Sequence, residues 1–245
     1  LRFARYLGLS AMAMGLAVAL LLPTASRAEG DFYPPLYEAL ARQLSADSLR
    51  LTTAPPLVLE DGVRFERFFL EARGIRIDGM RIEELTAAAL GAVFNREEEW
   101  RKTAEMRSAE LATLRMRVLE KDVNDFFLLK YPPGRRSGWL FIRFDLKDGW
   151  IRGEGLYKFS GLPFRTHVVL EGKLEVVRGR KVYVSDYTMR VDGLEIPRSR
   201  AEPVVNRIQP LLDLDKLAFP GRLSRVEVRE DSLLVETSPS PESLR

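Results

Sequence analysis

The sequence predicts an α+β protein in which a long, highly curved antiparallel β-sheet, a meander with bulges, wraps two to three amphipathic helices. Three observations carry that expectation. Most of the chain alternates apolar and polar residues with a period of two, the repeat of a strand with one buried face. Two- or three-residue turn signals separate the runs; these are too short for a crossover helix, so neighbouring strands must be antiparallel and no βαβ rhythm arises. Only three stretches place apolar residues at helical spacing.

In chain order, residues 1–28 read as a secretory signal peptide. Arg2 and Arg5 form the charged region, Tyr6 to Leu22 the apolar run, Pro23 the breaker and Ser26-Arg27-Ala28 a small-x-small cleavage site. An uncleaved N-terminal anchor is the alternative. A single domain is expected over 29–237. It opens with a helix after Pro34-Pro35, with Leu36, Tyr37, Leu40, Ala41 and Leu44 on one face. The run 63–77 shifts its apolar phase at Phe68 and again at Ile75, as a β-bulge would cause. Leu114, Met116 and Val118 alternate with Thr113, Arg115 and Arg117 and lead into a second helix. That helix opens at Lys121-Asp122, carries Val123, Phe126 and Phe127, and stops at Pro132-Pro133-Gly134.

The stretch 138–191 reads as a meander with turns at Asp148-Gly149 and Arg178-Gly179-Arg180, and another turn follows it at Asp192-Gly193. A second phase change, from Val182 and Val184 to Tyr187 and Met189, again suggests a bulge. Gly153 and Gly155 share one strand face and remove side chains where another element could come close or the sheet could bend. A third helix is expected over about 198–212, with Val204, Val205, Ile208, Leu211 and Leu212 on one side and Pro210 bending or ending it. A hairpin turning at Glu230-Asp231-Ser232 completes the fold, and 238–245 reads as a disordered tail.

Composition removes several kinds of chemistry. The chain has no Cys and a single His, His167, so disulfides, thiolate metal sites, a cysteine nucleophile, a lipidated cysteine anchor and a multi-histidine metal centre are all excluded. The net charge of +3 comes from Arg2, Arg5 and Arg27; the 38 basic residues less those three leave 35, equal to the 35 acidic ones. A neutral remainder lacks the cationic field of a general nucleic-acid binder. No Gly-x-Ser-x-Gly elbow, P-loop or dinucleotide fingerprint is present. Ser160-Gly161 and Ser185-Asp186 read as loop or bulge residues, and His167 falls on the polar face of its strand. Asp122 with Asp125, and Glu97-Glu98-Glu99, read as a helix N-terminal turn and a solvated face. No catalytic residue, metal ligand or cofactor is expected.

Apolar surface is the feature that stands out. Ten of the 23 aromatic residues lie within 126–164, and Trp139 and Phe141 fall on the face opposite Leu140, Ile142 and Phe144, so their strand needs cover on both sides. A sheet sandwiched by helices or by its own curvature would supply that cover; the functional alternative is a sheet that wraps its helices incompletely and leaves an apolar groove able to take a lipid tail. Its candidate residues are Leu36, Leu40 and Leu44 on the first helix, Phe126 and Phe127 on the second, Trp139 and Phe141, and Val205, Ile208 and Leu212 on the third. Arg135 and Arg136 in a loop, or Arg200 and Arg207 on one helix face, could grip a phosphate headgroup bidentately.

The order of elements resembles the LmeA-type bacterial phospholipid-binding family, whose architecture is related to the tubular lipid-binding (TULIP) domains. The similar features are the export signal, the run from Phe69 to Ile82 through Gly74 and Asp78-Gly79-Met80, the passage Val118 to Phe127 containing Asp122-Val123-Asn124, and Val191-Asp192-Gly193-Leu194-Glu195-Ile196-Pro197. Ile208-Gln209-Pro210-Leu211-Leu212-Asp213-Leu214 and Leu217-Ala218-Phe219 follow. Gln209 stands where the family often has Asn. The likeness covers roughly 45–237. It implies a TULIP-like domain that holds phospholipid or a related envelope lipid, and it brings no catalytic residues. The expectation is therefore an exported, non-enzymatic lipid-binding or transfer protein of the periplasm or cell envelope that meets membrane surfaces peripherally and takes no nucleic acid. Two rivals remain: an adaptor binding another envelope protein through the same sheet, and a glycolipid-processing enzyme, which would need acids such as Asp122 or Asp125 to converge with Asp186.

Overall fold

A computed structural model describes residues 32–77, 79–133, 138–158, 165–216 and 219–244. The expected signal peptide, Ser160-Gly161, Arg135 and Arg136 lie outside the described residues. In chain order the elements are α1 (Pro34–Leu44), β1 (Ser48–Thr53), β2 (Pro56–Val58), β3 (Val63–Ile77), β4 (Met80–Phe94), β5 (Met106–Ser108), β6 (Leu111–Leu119) and α2 (Glu120–Lys130). There follow β7 (Trp139–Lys147), β8 (Trp150–Tyr157), β9 (Thr166–Val177), β10 (Lys181–Val191), β11 (Leu194–Glu195), α3 (Arg198–Ile208), β12 (Leu212–Asp213), β13 (Leu223–Arg229) and β14 (Ser232–Thr237).

The α+β class and the antiparallel meander hold, and the strands divide into two open sheets, neither closed into a barrel. The 8-stranded sheet runs β1-β3-β4-β6-β14-β13, with β2 also on β3 and β5 also on β4. The 6-stranded sheet runs β11-β10-β9-β8-β7, with β12 also on β10. The spine of the first sheet is the β3–β4 hairpin, with 15 residues in each strand, about 50 Å at ~3.3 Å per residue. Its apolar phase changes where the sequence suggests, but not through a bulge. Register is unbroken from Val63↔Phe94 to Ile77↔Met80, while Gly91 and Gly74 take φ of +57° and +65°. Each glycine relieves the sterics of a left-handed residue, so both strands change face together and the ribbon coils. In β10 the expected bulge is present, between Ser185 and Thr188, with Asp186 at φ +44°.

The sheets meet end to edge. The other edge of β13, away from β14, receives the hairpin turns of the second sheet: the Gly149 N–H donates to Val228 O at 2.9 Å, and the Leu223 N–H to Gly179 O at 2.8 Å. Arg180 closes this corner by donating to the carbonyls of Leu214 (2.7 Å), Phe219 (2.8 Å) and Gly221 (2.9 Å) and by pairing with Asp215. The helix α2 fills the angle between the sheets. Asn124 uses its whole amide on Phe144 of β7, accepting from its N–H at 2.7 Å and donating to its carbonyl at 2.8 Å, and Glu120 accepts from the Leu146 N–H at 2.8 Å. These side chains satisfy backbone groups of an edge strand that no further strand pairs.

Two expectations are corrected. The third helix ends at Ile208, not 212, because the chain is extended at Gln209 ahead of Pro210, and Leu212 sits in β12 opposite Val182. The C-terminal segment expected to be disordered forms a 3-10 turn, Pro241–Leu244, with Pro241 buried and Glu242 bonded to Arg115 at 2.8 Å.

Candidate functional site

The concave face of the second sheet is built by register. Ile142 stands beside Gly155 and Val168, and Phe144 beside Gly153, Leu170 and Met189. Over these rows lies α3, presenting Val204, Val205 and Ile208, and between helix and sheet runs a cleft lined by these residues and Trp139. Glu154 also borders it, but its carboxylate is held by Arg152 at 3.1 Å and His167 at 2.8 Å on the opposite, charged face, which Glu171 and Arg190 extend. The cleft spans about 440 Å³ including space open to solvent, and its enclosed part as it stands takes only a few water-sized groups.

Its floor depends on the two glycines. A Cβ on Gly155 would lie 2.7 Å from both the Phe141 carbonyl oxygen and the Trp139 ring, and one on Gly153 would lie 3.0 Å from the Phe144 ring. The bare backbone therefore lets two aromatic rings lie across the strand, the use of paired glycines that the sequence suggests. A register shift between Trp139 and Phe141 corrects the expected facing of these residues. The irregularity turns Trp139 onto the concave face with Ile142 and Phe144 and leaves Phe141 on the outer face, 43% exposed.

The candidate residues separate accordingly. Trp139, Val205 and Ile208 share the cleft. Leu36, Leu40 and Leu44 bury themselves against the first sheet, where Leu40 and Leu44 border a second apolar cavity with Phe68, Leu70 and Phe219. Phe127 is core, its ring 4.4 Å from that of Phe144. Phe126 and Leu212 border a third cavity with Met80 and Lys130. Arg200 and Arg207 are exposed on α3, outside the lining of the cleft. Among the lining residues absent from the candidate set, the strand residues Ile142, Phe144, Val168, Leu170 and Met189 were detectable in the sequence: each sits on the apolar phase of its strand, and stacking the meander in register brings them together.

The acids considered for catalysis have structural partners. Asp122, 3% exposed, faces Arg81 at 3.4 Å, a guanidinium that Glu83 and Asp47 also engage. These carboxylates hold the Arg81 guanidinium above its already high range, Glu83 and Asp47 contributing most. Asp125 pairs with Lys121 at 2.8 Å, and Asp186 pairs with Lys173 at 2.9 Å, which keeps its carboxyl below the usual range. Among the described residues there is no group of acids and histidine spaced to hold a metal ion, and no helix is long and apolar enough to cross a membrane.

Comparison with curated proteins and with solved structures gives no match. A family model described as LmeA-like phospholipid-binding matches residues 2–238, nearly the whole chain. The extent of that match agrees with the residues that carry the architecture, from Gly74 and Arg81 in the long hairpin through Asp122 and Asn124 at the sheet junction to the strand after α3. The chain belongs to the LmeA-like phospholipid-binding family.

Proposed function

We propose that the protein is an exported, non-enzymatic carrier of phospholipid or a related envelope lipid, and that it seats part of an acyl chain between α3 and the second sheet. The observation that carries this reading is the cleft itself: an apolar lining on a glycine floor, opening to solvent, in a chain whose family binds phospholipid. Each methylene moved from water into the cleft contributes about 0.8 kcal/mol, so a few methylenes give useful affinity while the headgroup stays in water. A longer stretch of chain enters only if α3 lifts. That helix is suited to lifting, since Ala201 and Val205 alone among its residues are fully buried, Pro203 interrupts its hydrogen bonding and no side chain caps its start.

Mass spectrometry of lipid extracted from the purified protein tests the reading. The parent chain carries phospholipid or a glycolipid with similar tails, and Val204→Trp, which places an indole in the cleft from a half-buried position, carries at least about tenfold less while remaining folded. Equal lipid content in the two proteins would remove the cleft as the site.

A further inference from the structure

The last turn of α2 carries apolar side chains that the fold does not use. Leu128 is 54% exposed and Leu129 72% exposed. Beside them Phe126, Leu129, Lys130 and the turn residue Gly79 shape a shallow, open depression of about 570 Å³. The Lys130 ammonium stands 5.2 Å from the centre of the Phe126 ring and 5.8 Å from that of Tyr131. The acids preceding it on the same helix, Glu120, Asp122 and Asp125, are engaged by the Leu146 N–H, Arg81 and Lys121.

This corner is continuous with the cleft. The Tyr131 hydroxyl donates to the Arg207 carbonyl at 3.0 Å, tying the end of α2 to the end of α3. The Tyr131 ring stacks on Phe127, and Phe127 packs on Phe144, which lines the cleft. The corner therefore presents two leucines, a phenylalanine edge and the exposed cation Lys130, next to the end of the helix that roofs the cleft, where Arg207 is also exposed.

We infer that this face, the last turn of α2 with Leu128, Leu129 and Lys130, is where the protein docks on a lipid surface, placing the end of α3 and the cleft against the bilayer. The leucines enter the acyl boundary, and Lys130 and Arg207 stay at the level of the phosphates, as long basic side chains do at interfaces. The chemistry favours a membrane over a protein partner. Two leucines and a ring edge fall well short of the ~800 Å² per partner of a stable protein interface, whereas a bilayer requires no matching shape. The inference rests on the reading of the cleft as a lipid site and adds the point of lipid entry.

The absence of cysteine supplies a direct test. Leu129→Cys carries an environment-sensitive dye, and Val58→Cys, 74% exposed on β2 at the far end of the long hairpin, carries the same dye as a control. The protein, purified as the producing cell delivers it, is mixed with vesicles of phosphatidylcholine and phosphatidylglycerol. The dye at 129 shifts to a membrane-like emission and the dye at 58 stays aqueous, whatever else holds the chain to the vesicle. In unlabelled protein, Leu128→Asp/Leu129→Asp transfers lipid between vesicles at least about tenfold more slowly, while the lipid it carries, measured by mass spectrometry, is unchanged. A dye at 129 that remains aqueous, equal shifts at both positions, or an unaltered transfer rate in the double variant would each overturn the inference. Loss of self-association in the double variant without a shift at 129 would assign the face to a second copy of the chain. If Val204→Trp empties the cleft while the dye at 129 still shifts, docking stands and the cleft occupant is distinct from it.

Discussion

Asn124 shows how one side chain can place a whole sheet. Its amide replaces a missing strand at Phe144, matching donor to carbonyl and acceptor to N–H, and no other residue type of that length offers both. The sequence exposes the residue only as part of Asp122-Val123-Asn124 near the start of an amphipathic helix; its partner is distant in the chain, so the role was not legible. Asp122 stands in the first turn of α2, as the sequence reads it, but its burial against Arg81 was not legible, because the hairpin that delivers the guanidinium coils back over α2. Replacing Asn124 with Ala leaves two backbone groups of β7 without protein partners, each costing about 1–3 kcal/mol if water cannot reach it. The expected loss for Asn124→Ala is about 2–3 kcal/mol, a fall of roughly 1 M in the urea midpoint. A midpoint unchanged within error would mean that water satisfies the β7 edge and that α2 does not hold the second sheet.

At the scale of elements, the corner between the sheets and the wall of the cleft are held differently. The corner is pinned by Arg180 and by Asp215, whose carboxyl is kept below the usual range by hydrogen bonds from Arg180 and Lys181. A group whose folded value is depressed stabilises the fold above its unfolded value, ~3.9 for Asp, and that contribution is lost as the pH falls through the folded value. Asp215→Asn is therefore expected to lower the thermal midpoint slightly at neutral pH and to converge with the parent chain in acid, once the pH has fallen through the depressed folded value. A gap that persists undiminished into acid would attribute the effect to packing and not to charge. The cleft wall has no such many-bonded clamp among the described residues: α3 is attached through the Arg198 guanidinium over the Tyr187 ring at 4.9 Å at its start, the Tyr131 hydroxyl at its end and, just beyond it, the Gln209 amide on Val184 O at 3.3 Å. Helix periodicity revealed α3 and its apolar face, but the same pattern ran on through Leu211 and Leu212, and only the proline separates helix from strand. Trp139 illustrates the opposite limit. A period-two reading assigns it to the outer face, and a single register irregularity, invisible in the sequence, reverses that assignment.

For the whole molecule, the α+β class, the meander and the paired glycines were legible because they follow from periodicity and from turn chemistry over short stretches. The division into two sheets was not, because it depends on β13 meeting turns distant in the chain, at Gly149 and Gly179, through backbone bonds that leave no sequence pattern. Charge is a whole-molecule property that the sequence does reveal, and it bears on how the protein meets a bilayer. After residue 28 the basic and acidic residues are equal in number, and many of the charges pair with one another across the sheet faces, as Arg152 does with Glu154 and Glu171, and Arg225 with Glu227. Long-range attraction to an anionic surface is then weak, and a docking face with only Lys130 and Arg207 at its rim contributes about 1 kcal/mol per cation at low salt. The apolar contribution of Leu128 and Leu129 is larger, about 1.5–3 kcal/mol for each leucine fully removed from water, and salt does not screen it. Vesicle binding is accordingly expected to fall no more than a few-fold between low and physiological ionic strength in flotation assays, and to drop further with Leu128→Asp/Leu129→Asp than with Lys130→Gln. A steep salt dependence, or a greater loss from Lys130→Gln than from the leucine pair, would make the contact electrostatic and would point to a polybasic route to the membrane in place of insertion.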